Sequence, residues 1–401
     1  MQSCDFFVLL LCDRSRPSDS ATIPSSTSPP DLMAVGGALL WITASLGTFY
    51  VAALLVHRFV LRTGTVITKH WPATKVTART VSGDAGTNLV HREMFVEDSY
   101  FRHGVTIEGA RGDDFFVLDC GANIGLFALA AGLKCLQAGV NCEIHSFEPV
   151  PVLASLANEN VRNLQNLRTG SRKGDRSAHV TSCVHTVALG QKAGGVAEFH
   201  YDPGFSAGST SHANELLKQT TRNGFPVLKW IKAAVHDGAW GGMVPPWVAE
   251  NVIRAMNVPV LNWVIAVLVI LPVGLLLLLF FSASPVKKTK VVAPLSSLDR
   301  ELAELERTTR GGKPITRIDM VKIDVEGAEW DVMQGLSPDR WRTVRQCVVE
   351  VHNGGNGPDG QRVNKVVAFL RAMGFSNVVV GEEELWSHEL LDLHTVFATR
   401  V

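Results

Sequence analysis

The chain is 401 residues long, with 38 Lys and Arg balanced by 38 Asp and Glu for a formal net charge of zero. A neutral molecule has no built-in attraction for a polyanion, which argues against nucleic acid as a partner; the length suits one α/β domain with a full core and added segments. The seven cysteines (Cys4, Cys12, Cys120, Cys135, Cys142, Cys183, Cys347) are odd in number and form no C-x-x-C pair or His/Cys cluster, so the sequence supports neither a disulfide framework nor a zinc site.

Residues 1–33 read as a disordered extension, rich in Ser and Pro between 13 and 31. The run Phe6–Leu11 is too short to span a bilayer and lacks the basic start of a signal peptide. Met33 is an alternative start. Ala34–Val56 holds 23 residues without a charge, a helix of about 34 Å, and is expected to cross a membrane. Arg58, Arg62, Lys69 and Lys75 follow it against Arg14 and Arg16 before it, a bias that puts the rest of the chain in the cytosol. Residues 57–88 then read as a linker.

Phe115–Leu118 is a short apolar run suited to a strand buried on both faces, with Asp119 at its end. Gly121 and Gly125, in a G-x-N-x-G turn around Asn123, allow a ligand to approach the backbone closely before an apolar helix over Leu126–Leu136. Glu143–Phe147 reads as the next strand and ends at Glu148, an acid placed to accept ribose hydroxyls. Met320–Ile323 is a further strand, followed by Asp324, Glu326 and the turn residue Gly327, with a helix starting near Ala328. Two carboxylates there suit orienting or deprotonating a hydroxyl, although acids in that position also cap helices. Glu329 reads as structural. Gln346–His352 forms a fifth strand with Glu350 inside it and His352, a residue that titrates near neutrality, at its end; His394–Arg400 supplies a last strand. Strands ending in a glycine turn and then in carboxylates describe a doubly wound sheet that binds a nucleoside-containing cofactor at its carboxyl edge.

The segments VLDCGANIGLF (Val117–Phe127), SFEPVP (Ser146–Pro151) and DMVKIDVEGAEWDVMQGL (Asp319–Leu336) resemble the FkbM-type family of S-adenosylmethionine-dependent methyltransferases. The likeness extends to Leu89–Val105, Val184–Gly190, Val196–Tyr201, Gly208–Ser211 and Val291–Asp299, covering roughly 89–211 and 291–401. It implies an α/β fold, a Rossmann-like doubly wound and mostly parallel sheet with helices on both faces. It also implies S-adenosyl-L-methionine as cofactor, with Asp119 toward its ammonium, Gly121, Asn123 and Gly125 around its methionine portion, Glu148 on its ribose and Ala188 beside its adenine. Asp324, Glu326 and His352 become the catalytic candidates, acting on a hydroxyl of a sugar, a small metabolite or a lipid-linked acceptor, with no metal required. A membrane-bound scaffold with a degenerate fold is the competing class, since a fold alone does not give function. The G-x-N-x-G spacing counts against a nicotinamide-dependent oxidoreductase.

Residues 212–290 depart from that pattern and read as an insertion holding a second apolar run, Val260–Phe281. If both runs spanned, the halves of one parallel sheet would lie on opposite sides of the bilayer, with unpaired edges in hydrocarbon. The second run is therefore expected to enter and leave the cytosolic leaflet as an interfacial hairpin. Pro272 and Gly274 interrupt it, Arg254 and Lys287, Lys288 and Lys290 flank it, and Trp230, Trp240, Trp247 and Trp263 suit the headgroup level. The sequence leaves the oligomeric state open.

Overall fold

The computed structural model describes residues 64–82, 84, 86–107, 114–166, 178–203, 206, 289–352, 361–381 and 393–400. The N-terminal extension, Ala34–Val56, Gly208–Ser211 and Val260–Phe281 lie outside these residues. Among the described residues no helix is long and apolar enough to cross a membrane.

A hairpin of β1 (Val66–Trp71) and β2 (Val76–Val81) leads into α1 (Gly86–Phe95). The core then alternates β3 (Phe115–Cys120), α2 (Leu126–Ala138), β4 (Cys142–Phe147), α3 (Pro151–Asn166) and β5 (Val180–His185). After β6 (Ala188–Leu189), β7 (Val196–Tyr201) and β8 (Thr289–Ser296) come α4 (Leu298–Thr308), β9 (Ile318–Ile323), α5 (Glu329–Gln334) and α6 (Pro338–Trp341). The chain closes with β10 (Val344–His352), α7 (Gln361–Ala372), β11 (Asn377–Val380) and β12 (Leu393–Thr399).

Seven strands form the main sheet in the order β11-β12-β10-β9-β3-β4-β5. From β5 to β10 the neighbours are parallel, and β12 runs antiparallel to both β10 and β11. The chain winds outward from β3 through β4 to β5, then restarts at β9 on the other side of β3. That reversal opens a crevice above the carboxyl ends of β3 and β9, where open α/β sheets bind ligands.

Every residue of β3 and β9 is buried, as parallel strands covered on both faces must be. Phe115 and Val117 pack with Met94, Leu126, Leu153 and Leu164 from α1–α3. Phe116, Leu118 and Cys120 pack on the opposite face with Leu298, Leu302, Trp341 and Leu370 from α4–α7. Asp119 does not end its strand as the sequence suggests. It is the fifth residue of β3, wholly buried and paired in register with Ser146 and Lys322. The helix expected near Ala328 is a short one with Ala328 at its N-cap.

A smaller sheet of order β6-β8-β7 sits at the base of the insertion. Tyr201, the last residue of β7, pairs with Thr289, the first of β8. The chain thus leaves and re-enters the described fold at one antiparallel pair.

Candidate functional site

The turn after β3 is built to bring backbone from two strands together. Gly121 has φ +82°, and a Cβ there would stand 1.7 Å from the carbonyl oxygen of Asp324, so no other residue fits. Gly121 and Ala122 donate their N–H groups to the carbonyl of Phe147, and Asp324 donates its own to the carbonyl of Cys120. Asn123 is held at φ 49°, and Gly125 starts α2 at φ +80° with its α-carbon side against Ala157.

Glu148 clamps this turn from the end of β4. One carboxylate oxygen accepts the N–H of Asn123 at 2.7 Å and the other that of Val150 at 2.9 Å. Burial raises its pKa to about 7, against these backbone donors. Each oxygen keeps a lone pair, so a diol can still be accepted. Ser206 donates to Asp84 at 2.5 Å and reaches Asn123 Oδ1 at 3.3 Å, which ties the β2–α1 turn to the same place.

Lys322, within β9, stands at the centre of the crevice. Its ammonium donates to the Gly121 carbonyl at 2.7 Å and lies 3.4 Å from Asp119 Oδ1 and 3.3 Å from Asp324 Oδ2. Burial by itself lowers its pKa, but Asp324 and Asp119 outweigh burial and hold it charged. Asp119 accepts from Ser146 Oγ at 3.1 Å through Oδ2, whereas Oδ1 is buried without a hydrogen-bond donor. Burial raises the Asp119 pKa despite the Lys322 charge.

On the β10 side, Tyr100 donates to Glu350 Oε2 at 2.7 Å, with Asp324 Oδ2 at 3.3 Å. His352 is 4% exposed and lies between two acids. Its Nδ1 donates to Glu329 Oε1 at 2.8 Å, and its Nε2 faces Glu326 Oε2 at 3.1 Å and Glu350 Oε1 at 3.7 Å. Burial would lower the His352 pKa, but Glu326 and Glu329 drive it well above its usual value. A protonated imidazole has no lone pair with which to take a proton, so in this arrangement His352 holds acids in place. Burial also raises the Glu326 pKa, and the residue sits at φ 53°, a left-handed conformation costing roughly 1–2 kcal/mol. Glu329 accepts the Gly327 N–H at 2.6 Å as well as His352, consistent with a structural role.

The fold therefore gathers Asp119, Gly121, Asn123, Gly125 and Glu148 on the β3–β4 side, and Asp324, Glu326 and His352 on the β9–β10 side. Ala188 lies in β6, buried and paired with Leu295. Sequence reasoning missed Lys322 as the central cation, placed Tyr100 in the family-like segment Leu89–Val105 without a role, and missed Ser206 and Asp84 altogether. Lys322 carried a signal, a lysine within an otherwise apolar strand, and Tyr100 carried the likeness of its segment; Ser206 and Asp84 carried none.

Among the described residues two groups have ligand atoms close enough to hold a metal ion. One is Asp324, Glu326 and His352. The other is His145, Cys183 and His185, a His/Cys cluster that linear spacing concealed because the pairing of β4 with β5 assembles it.

The family model described as "Methyltransferase FkbM domain" matches residues 293–376, the segment that contains β9 and β10. The chain is 28% identical over 336 residues to the 31-O-demethyl-FK506 methyltransferase FkbM of Streptomyces tacrolimicus, covering 84% of this chain and 97% of that protein. It is 26% identical over 260 residues to methyltransferase sdnD of Sordaria araneosa, covering 65% of this chain and 73% of that one. A solved methyltransferase FkbM from Methylobacillus flagellatus KT aligns with a TM-score of 0.33 and 11% identity, over 74% of this chain and 47% of that one. The matched signature strand and the two curated relatives make the chain similar to methyltransferases of the FkbM type, and its doubly wound sheet agrees with that likeness.

Proposed function

We propose that this chain is a membrane-tethered enzyme that transfers a methyl group from S-adenosyl-L-methionine to a hydroxyl oxygen of a sugar, lipid-linked or small-metabolite acceptor. The observation that carries the reading is Asp119 Oδ1, buried at the β3/β9 reversal beside the glycine turn and Glu148, which makes no hydrogen bond and has only the Lys322 ammonium, 3.4 Å away, for a partner. A buried carboxylate oxygen that makes no hydrogen bond leaves a place for an N–H ligand beside its ion-pair partner. An amino group fits that need, and a ribose diol fits the lone pairs left on Glu148. S-adenosylmethionine offers both, and when bound it supplies an electrophilic methyl on a sulfonium.

The chain's own residues supply placement and a proton acceptor. Asp119 and the Gly121–Gly125 turn hold the donor's amino acid portion, and Glu148 fixes its ribose. Lys322 locks the turn to Asp324, so the donor half and the acceptor half of the site move as one body. Asp324 and Glu326 would orient the acceptor hydroxyl, and one of them would take its proton as the oxygen bonds the methyl carbon and the sulfonium's bond to that carbon breaks, leaving a neutral thioether. Methyl transfer of this kind gains mainly from proximity and orientation.

Tethering rests on Ala34–Val56, and the pairing of Tyr201 with Thr289 supports a one-sided insertion, because the excursion holding Val260–Phe281 returns to its starting point. Purified full-length chain should transfer label from methyl-labelled S-adenosylmethionine into lipid or glycan extracts, and Asp119→Asn should abolish donor binding. Undiminished donor affinity in Asp119→Asn would remove Asp119 from the site.

A further inference from the structure

We infer that Asp324, Glu326 and His352 are the ligands of a divalent cation, with Glu329 as the residue that positions His352. The inference deepens the methyltransferase reading and rests on it for the cation's purpose, which is to hold an acceptor oxygen.

The geometry carries it. Each of the three side chains offers a ligand atom, and these atoms lie within 4.8 Å of one another. His352 Nε2 and Glu326 Oε2 are 3.1 Å apart. Two ligand atoms bound to one ion at about 2.1 Å stand roughly 3 Å from each other, so little rearrangement is needed. The far nitrogen of His352 is already fixed by Glu329 at 2.8 Å, and Glu329 is fixed in turn by the Gly327 N–H. A carboxylate on the distal nitrogen is what metal-ligating histidines almost always have.

Charge points the same way independently. Asp324, Glu326, Glu329 and Glu350 gather around one imidazole and one ammonium, those of His352 and Lys322. Glu329 is buried and the other three are part-buried, and carboxylates in such excess leave a place for a further counter-charge. Asp324 makes its contacts to Lys322 and Tyr100 through Oδ2, which leaves Oδ1 for a ligand. Two carboxylate oxygens and one imidazole suit an ion such as Mn²⁺ or Zn²⁺, with positions left open for an acceptor oxygen. The ion takes the place of the proton on Nε2, which leaves to solvent.

The test uses the purified full-length chain, Mn²⁺ as probe and electron paramagnetic resonance to count free ion. One Mn²⁺ should bind per chain. Glu326→Gln should weaken binding at least tenfold, and Glu329→Gln by roughly tenfold to a hundredfold through the loosened imidazole. Circular dichroism checks folding, and Asp324→Asn stands in for either variant that fails to fold. Equal Mn²⁺ affinity in the variants overturns the site. So does a wild-type chain that leaves Mn²⁺ free up to about 1 mM while binding S-adenosylmethionine by calorimetry, a result that spares the methyltransferase reading. Mn²⁺ bound by a chain that does not bind S-adenosylmethionine supports the cation site and sinks that reading instead.

Discussion

Lys322 stands between Asp119 and Asp324, 3.4 Å from a carboxylate oxygen of one and 3.3 Å from that of the other. One buried ammonium thus joins the residue proposed to meet the donor with the residue proposed to meet the acceptor. Lys322→Met would leave the buried Asp119 and the part-buried Asp324 without their shared cation, a loss of about 3–5 kcal/mol, most of it from Asp119. Urea denaturation should show it. A loss below about 1 kcal/mol would mean that solvent reaches the pair and that Lys322 is not the centre of the crevice.

Glu148 should give stability a distinct pH dependence. Its folded pKa is raised to about 7 by burial, above the ordinary carboxylate value it takes when unfolded. The neutral carboxyl is therefore favoured by folding. The contribution is fully present below the unfolded pKa, is lost as pH rises through about 7, and amounts to about 3 kcal/mol. Urea midpoints followed from pH 4 to pH 8 should fall more steeply in the wild type than in Glu148→Gln. Parallel curves would show that Glu148 titrates normally.

The same residue should govern donor affinity. Glu148→Ala is expected to weaken S-adenosylmethionine binding tenfold to a hundredfold, through loss of hydrogen bonds to a charged group worth about 1.5–3 kcal/mol. Calorimetry reads this directly, and unchanged affinity would leave Glu148 only its clamp on the Asn123 and Val150 backbone.

The parallel strands were legible because they are written as apolar runs closed by glycine or acid, a pattern that burial on both faces imposes. Phe115–Leu118 and Met320–Ile323 were short of the observed strands by two residues each, since Asp119 and Asp319 read as boundaries although both are buried inside strands. The signature acids were placed correctly at the edge of the sheet, but their partners were not foreseeable. Tyr100 meets Glu350 across 250 positions, and His145 meets His185 across 40. Linear spacing carries no trace of such pairings. Ala34–Val56 and Val260–Phe281 lie outside the described residues, so the membrane reading rests on their composition and on the closed base at Tyr201 and Thr289.

That reading makes its own prediction. Epitope tags placed near Lys69 and near Lys290 should be digested together in sealed membrane vesicles, from the cytosolic side only. Deleting Ala34–Val56 should leave a chain that still binds membranes peripherally through Val260–Phe281 and its basic flanks. Tags on opposite faces would break the one-sided arrangement.

The most direct test of methyl transfer at the β3/β9 crevice compares wild type with Asp324→Asn. Asparagine keeps the shape of Asp324 and removes the charge that orients and deprotonates the hydroxyl. Both chains should bind S-adenosylmethionine alike by calorimetry. Transfer of labelled methyl into cell lipid and glycan extracts should fall on the order of a hundredfold or more in the variant. Equal transfer by both chains, or no donor binding by either, would contradict the account.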